Sequence, residues 1–160
     1  ALNDGLAAAW GHFCRPGNSS KRVASLALGT GVGAGYVVNG GILCGPKGEY
    51  PRWNDLPLSS GKTVESVLGG LSLTTSPSAL QREEAESAAR FVLRSMDQLW
   101  MPDKIVVTGG VGLSDWMRLS LHSHPEPIRS RLEFGPEESG LLGAAALVQH
   151  PGALSSLSSL

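Results

Sequence analysis

Glycines alternate along Leu28-Gly29-Thr30-Gly31-Val32-Gly33-Ala34-Gly35, directly after the apolar run Val23-Ala24-Ser25-Leu26-Ala27-Leu28. The apolar run reads as a buried strand, and a chain leaving a strand on so many glycines can turn tightly. With no Cβ atoms in the way, backbone N–H groups there can approach an anion, and the Thr30 hydroxyl adds a donor. A plain hairpin turn uses the same composition. Two nucleotide signatures do not fit. No Gly-Lys-Ser/Thr opens a helix as a Walker loop requires. Tyr36-Val37-Val38-Asn39-Gly40-Gly41-Ile42-Leu43 reads as a second strand, a turn and a third short strand, where a dinucleotide fingerprint needs a helix. The glycines are therefore expected inside a β-hairpin.

The rest of the chain alternates helix and strand signals. Asn3 or Asp4 is a suitable N-cap for the alanine-rich segment that follows, which predicts a helix of roughly ten residues. Residues 45–61, dense in Gly, Pro, Ser and Asn, predict a long irregular loop of the kind that borders a site. A short helix is predicted over 63–70. Ser76-Pro77 followed by Ser78 and Gln81 predicts a helix start with proline in its first turn and a Ser-x-x-Gln capping box. Ala85, Ala88, Ala89, Val92, Met96, Leu99 and Trp100 then mark one apolar face of a long helix. Lys104-Ile105-Val106-Val107-Thr108 is a β-branched run expected as a buried strand, and Gly109-Gly110-Val111-Gly112 ends it in a second glycine turn. A helix over about 114–121, a possible strand over 131–134 and an alanine-rich helix over 139–149 complete the reading. The Ser/Leu-rich residues 151–160 are expected to be a disordered tail.

Bulk properties narrow the function classes. The 160 residues suit about one domain. Thirteen basic residues against fourteen acidic ones, with no basic stripe, give no electrostatic support to a nucleic-acid or anionic-membrane partner. Cys14 and Cys44 lack any Cys-x-x-Cys or Cys/His ligand spacing and suit reduced thiols. No apolar run reaches the roughly 18 residues of a membrane span, and no signal peptide is evident. His12, His122, His124 and His150 are expected at the surface or at helix ends, since no ligand partners lie at metal spacing. Asn3 and Asp4 fall so close to the start that a preceding segment is expected.

Four stretches together resemble the ROK (repressor, open reading frame, kinase) family of sugar kinases, within the hexokinase and actin-like ATPase superfamily. They are Asn3-Asp4-Gly5-Leu6-Ala7-Ala8-Ala9-Trp10, the glycine run at 28–35, Val106-Val107-Thr108-Gly109-Gly110-Val111-Gly112, and Ser139-Gly140-Leu141-Leu142-Gly143-Ala144-Ala145-Ala146-Leu147. Their order is that of the C-terminal lobe of such a kinase, placed at residues 1–150. The resemblance implies an α/β fold, a ribonuclease H-like or actin-like ATPase lobe with a mixed β-sheet flanked by helices. It also implies ATP-dependent phosphorylation of a hexose hydroxyl, as in a glucokinase, an N-acylmannosamine kinase or a fructokinase.

By the same resemblance Asp4 is the base that takes the hydroxyl proton, and Asn3 holds a neighbouring hydroxyl. Glu49 and Glu65 accept hydrogen bonds from the sugar. Thr30, Gly31 and Gly33 contact the terminal phosphates, and Gly109 and Gly110 underlie the adenosine. ATP and Mg²⁺ are the implied cofactors, sugar and nucleotide the partners, the cytoplasm the location, and a homodimer is possible.

This sequence also departs from the family. Pro51-Arg52 stands where the family has Gly-His, and the Cys-x-Cys-Gly-x-x-Gly-Cys cluster is absent between Trp53 and Glu65, so no zinc is expected. The Asp-x-Gly-Gly-Thr loop of the N-terminal lobe is missing, and the chain by itself is not expected to turn over. A non-catalytic, sugar-sensing regulator is the alternative.

Overall fold

The computed structural model describes residues 3–73, 76–136 and 138–149. Asn3 caps the first helix, α1 (Asp4–Phe13), its side chain accepting from the Gly5 N–H at 2.8 Å. The apolar run forms β1 (Arg22–Leu28), the glycine-rich run forms β2 (Val32–Val38), and a turn at Asn39-Gly40 leads to the short β3 (Gly41–Ile42). After the long loop come α2 (Val64–Leu68), α3 (Ala79–Trp100) and β4 (Lys104–Thr108). The chain continues through α4 (Asp115–His122), α5 (Ile128–Arg131), β5 (Leu132–Phe134) and α6 (Ser139–Gln149).

The strands make one mixed sheet in the order β3-β2-β1-β4-β5. β2 runs antiparallel to β1, with Leu28 opposite Val32, while β4 lies parallel to β1 and β5 parallel to β4. Side chains alternate across the sheet and sort the helices into two layers. Ala24, Leu26 and Leu28 of β1 join Ile105 and Val107 of β4 against buried residues of α2, α3 and α4. On the other face α1 lies over β1 and β2 and packs against α6, with Leu6, Ala9 and Trp10 meeting Val37, Ile42 and Leu147.

α3 obeys its predicted cap and largely its predicted face. Ser78 and Gln81 form the reciprocal capping box, which places Pro77 just outside the helix instead of in its first turn. Ala85, Ala88, Ala89, Val92 and Met96 are buried as expected, Leu93 joins them, and Leu99 is 69% exposed. Met101, in the left-handed conformation, ends the helix. Trp100 packs against the core as expected: it stacks on Tyr36 with ring centroids 4.9 Å apart, meets Trp53 edge-on, and its carbonyl accepts from the Tyr36 hydroxyl at 2.6 Å. The one-turn helix α5 carries no periodic signal; it takes Arg131, so the strand expected over 131–134 begins at Leu132.

Two histidines stand at helix ends but not at the surface: His12, in the last turn of α1, and His124, just beyond α4, are each only 3% exposed. His12 Nε2 lies 3.2 Å from the Ser139 hydroxyl and its Nδ1 3.5 Å from Glu133, while Arg15 and Lys104 reach the same carboxylate. Burial, then the charge of Arg15, holds His12 below its usual value of 6.5; burial, then Arg90 and Arg94, does the same for His124. A histidine whose folded pKa is lowered contributes stability that is complete above its unfolded pKa and is lost as pH falls through the folded one. The unfolding temperature is therefore expected to be lower at pH 5 than at pH 7.5, with His12→Gln removing part of the difference. The carboxyls of Asp103 and Glu126, held low chiefly by Arg22 and by Ser130 with Arg129, start from 3.8 and 4.5 and act in a more acidic range. A pH-independent unfolding temperature over that interval would contradict the assignment.

Candidate functional site

β1 and β4 are parallel neighbours with Ala27 opposite Thr108, so the glycine turns that follow them leave the same end of the sheet. They touch. The Leu28 carbonyl accepts from Val111 N–H at 2.9 Å and from Gly112 N–H at 3.2 Å, which ties the second turn to the first. Gly109 has φ +83°, and a Cβ on it would overlap that carbonyl oxygen. A non-glycine residue is strained there on both counts. The exit of α2 braces the first turn from the other side, Gly70 N–H donating to Gly29 O at 2.7 Å and Leu71 N–H to Thr30 O at 3.3 Å.

A cavity of about 720 Å³ opens beside these turns, and Asn3, Asp4, Thr30, Gly31, Gly33, Glu65 and Gly109 all line it. Gly110 lines a second cavity of about 490 Å³ with Leu73, Pro77, Val111 and Trp116, and both cavities share Gly29 and Thr30. The first glycine turn is thus the ridge between a polar hollow and an apolar one. Glu49 lines neither cavity. Its carboxylate accepts from the Lys47 N–H at 2.8 Å within its own loop.

The glycines divide by what a Cβ would meet. At Gly33 it would lie 2.8 Å from Asn3 Oδ1 and 3.0 Å from Gly5 N, and at Gly35 it would overlap the Leu6 Cα. These two glycines let α1 settle onto β2. Their alternation, read from sequence as access for an anion, serves helix packing at those positions. At Gly29 and Gly110, by contrast, a Cβ would meet nothing within 4 Å. Those positions present bare backbone to open space.

Among the described residues the N–H groups of Thr30, Gly31, Gly109 and Gly110 donate to no protein acceptor, whereas Gly29 N–H donates across the turn to Gly31 O at 3.0 Å. Partly exposed N–H groups grouped at adjoining turns form a concavity suited to an anion. The charged side chains lining the cavity are Asp4, Glu65 and Glu138, with no Lys, Arg or His. A polyphosphate placed here needs a counter-cation, and hard carboxylate oxygens suit magnesium, which takes one or two carboxylates together with phosphate oxygens. No group of three or more His, Cys, Asp or Glu that could hold a metal ion exists among the described residues.

Reading the sequence alone missed Gly29, Asn54, Thr108, Glu138 and Leu141 in the lining. Thr108 ends a recognisable strand beside the second glycine turn, which was the available signal. Asn54, in a one-turn 3-10 helix, and Glu138, just before α6, reach the cavity only through the fold.

This sheet order, with β2 reversed and helices on both faces, is the fold of the actin-like ATPases and hexokinases. The chain's structural neighbours include ROK-family sugar kinases and a ROK-family regulator. A Streptomyces griseus ROK family glucokinase, solved with glucose and AMPPNP, superposes with a TM-score of 0.68 at 19% identity, over 90% of this chain and 66% of the glucokinase. The Thermus thermophilus ROK hexokinase gives 0.66 at 21% identity, over 90% of this chain and 62% of the hexokinase. A ROK family transcriptional regulator, homologous to the Escherichia coli MLC protein, gives 0.59 at 14% identity, over 91% of this chain and 50% of the regulator. This chain therefore spans two thirds or less of the length of these proteins. No protein-family model and no curated protein sequence matches it.

Proposed function

We propose that residues 1–150 are the C-terminal lobe of a ROK-family, ATP-dependent sugar kinase acting on a hexose hydroxyl. The observation that carries this reading is the convergence of the two glycine turns on a cavity that also holds Asp4, where Thr30, Gly31 and Gly109, all with N–H groups lacking protein acceptors, are in the lining. The phosphates rest on the N–H groups of Thr30 and Gly31 and the Thr30 hydroxyl. Gly109 and Gly110 lie under the nucleoside, whose base enters the apolar cavity beside Trp116. Gly33 keeps β2 close to Asn3 and takes no direct part.

Asp4, the first residue of α1, accepts the hydroxyl proton of the sugar as its oxygen bonds to the γ-phosphorus. The bond from that phosphorus to the β–γ bridging oxygen breaks, and ADP leaves. Asn3 orients a neighbouring hydroxyl. Magnesium, carried in with the phosphates, would be held on the protein side by Glu138 and would neutralise charge on the transferring group, leaving Asp4 free to take the proton.

ADP release from ATP by the full-length protein, measured over glucose, mannose, fructose and N-acetylmannosamine, tests the reading. Turnover dependent on one of these sugars is expected, while ADP release independent of every sugar, or none, contradicts it. The displaced Glu49 and the likeness to a transcriptional regulator favour one second reading, a lobe that binds sugar without phosphorylating it. Sugar binding with no ADP release would select that alternative. Among the described residues no helix is long and apolar enough to cross a membrane, and we place the kinase in the cytoplasm.

A further inference from the structure

We infer that Glu65 is a positioning residue of the phosphate-binding turn. This inference rests on the reading of that turn as the phosphate site. Glu65 Oε2 accepts a hydrogen bond from the Val32 N–H at 2.8 Å, at the first residue of β2. The other carboxylate oxygen, Oε1, lies 2.8 Å from the place a Cβ on Gly31 would take and 3.1 Å from that of Gly69. The carboxylate is therefore seated between the turn and the exit of its own helix, in space that only glycines leave free.

Its helix is well anchored. Thr63 and Ser66 cap the start of α2 reciprocally, and Val64, Val67 and Leu68 are buried. From this short platform three bonds reach the turn: Glu65 to Val32 N–H, Gly70 N–H to Gly29 O, and Leu71 N–H to Thr30 O. With Gly29 N–H spent on Gly31 O and Val32 N–H spent on Glu65, the N–H groups left for a ligand are those of Thr30 and Gly31. Glu65 thus decides which donors face the phosphates. Because the bond to Val32 is charge-assisted, it is stronger than a neutral amide could make.

The test is hydrogen exchange of the Val32 amide together with binding of magnesium–ADP and of glucose, in the wild type, Glu65→Ala and Glu65→Gln. In Glu65→Ala, Val32 exchange should accelerate about tenfold or more and ADP should bind about tenfold more weakly. Glu65→Gln, which keeps the acceptor without the charge, should fall between on both readouts. If Glu65→Ala does not fold, the intermediate values expected for Glu65→Gln decide the matter. Unchanged Val32 exchange, or weakened glucose binding with ADP binding intact, would overturn the positioning role. Should the wild type bind no ADP, the proposed kinase function fails, while accelerated or unchanged Val32 exchange in the variants still decides whether Glu65 holds the turn.

Discussion

Replacing Asp4 by Asn is expected to slow phosphoryl transfer in the full-length protein by about 10²–10⁴-fold, with the sugar dissociation constant little changed. Asparagine keeps the size of the side chain and its hydrogen bonding to a hydroxyl, but it cannot accept the proton as the oxygen attacks phosphorus. Asp4 is exposed to the cavity at the first turn of α1, so the change buries nothing and breaks no core contact. The helix cap is also retained, because it belongs to Asn3. Steady-state kinetics beside calorimetric sugar binding separates the two effects. A kcat within about threefold of wild type would remove Asp4 from the chemistry.

The largest expected effect on stability comes from the same helix layer, one turn along α1 from Asp4. α1 and α6 approach closely enough that a Cβ on Gly143 would overlap the Ala7 carbonyl oxygen, and one on Gly11 would lie 2.8 Å from Gly143 Cα. Backbone lies on both sides of the contact, so no flexible side chain can give way. Gly143→Val must push the helices apart or bend them, at a cost of about 3 kcal/mol or more, the upper end for overpacked interiors. Urea unfolding should show a much lower midpoint with an unchanged slope. Since α6 also brings Glu138, Gly140 and Leu141 to the cavity, nucleotide binding should weaken in parallel. A midpoint equal to that of the wild type would mean that the two helices do not pack this closely.

Local chemistry made much of the fold legible. The Asn3 cap, the Ser78–Gln81 box and the β-branched run at 104–108 each act within a few residues, and sequence displays such interactions directly. Long-range relations were less visible. Glycine at 33 and 35 reads alike whether an anion or a helix must come near, and only the approach of Gly5 and Leu6 to β2 separates the two. Burial of His12 likewise depends on Glu133 and Ser139, more than a hundred positions away. The motif resemblance named Asp4, Thr30 and Gly109 as partners, and the parallel pairing of β1 with β4 brings both turns to one cavity. Glu49 shows the limit of that route, since its loop lacks the Gly-His continuation and folds the carboxylate back on Lys47. Trp100 packs on the core as its spacing predicts, but helical periodicity does not encode its aromatic partners, Tyr36 and Trp53.

The convergence of the two turns on one anion is tested most directly by following backbone amide resonances during titration with magnesium–ADP. The largest shifts are expected at Thr30, Gly31, Gly109 and Gly110, all saturating with a single dissociation constant, and those at Thr30 and Gly31 are lost when ADP is replaced by adenosine at equal concentration. Shifts confined to one turn, or centred elsewhere in the chain, would contradict a shared nucleotide seat.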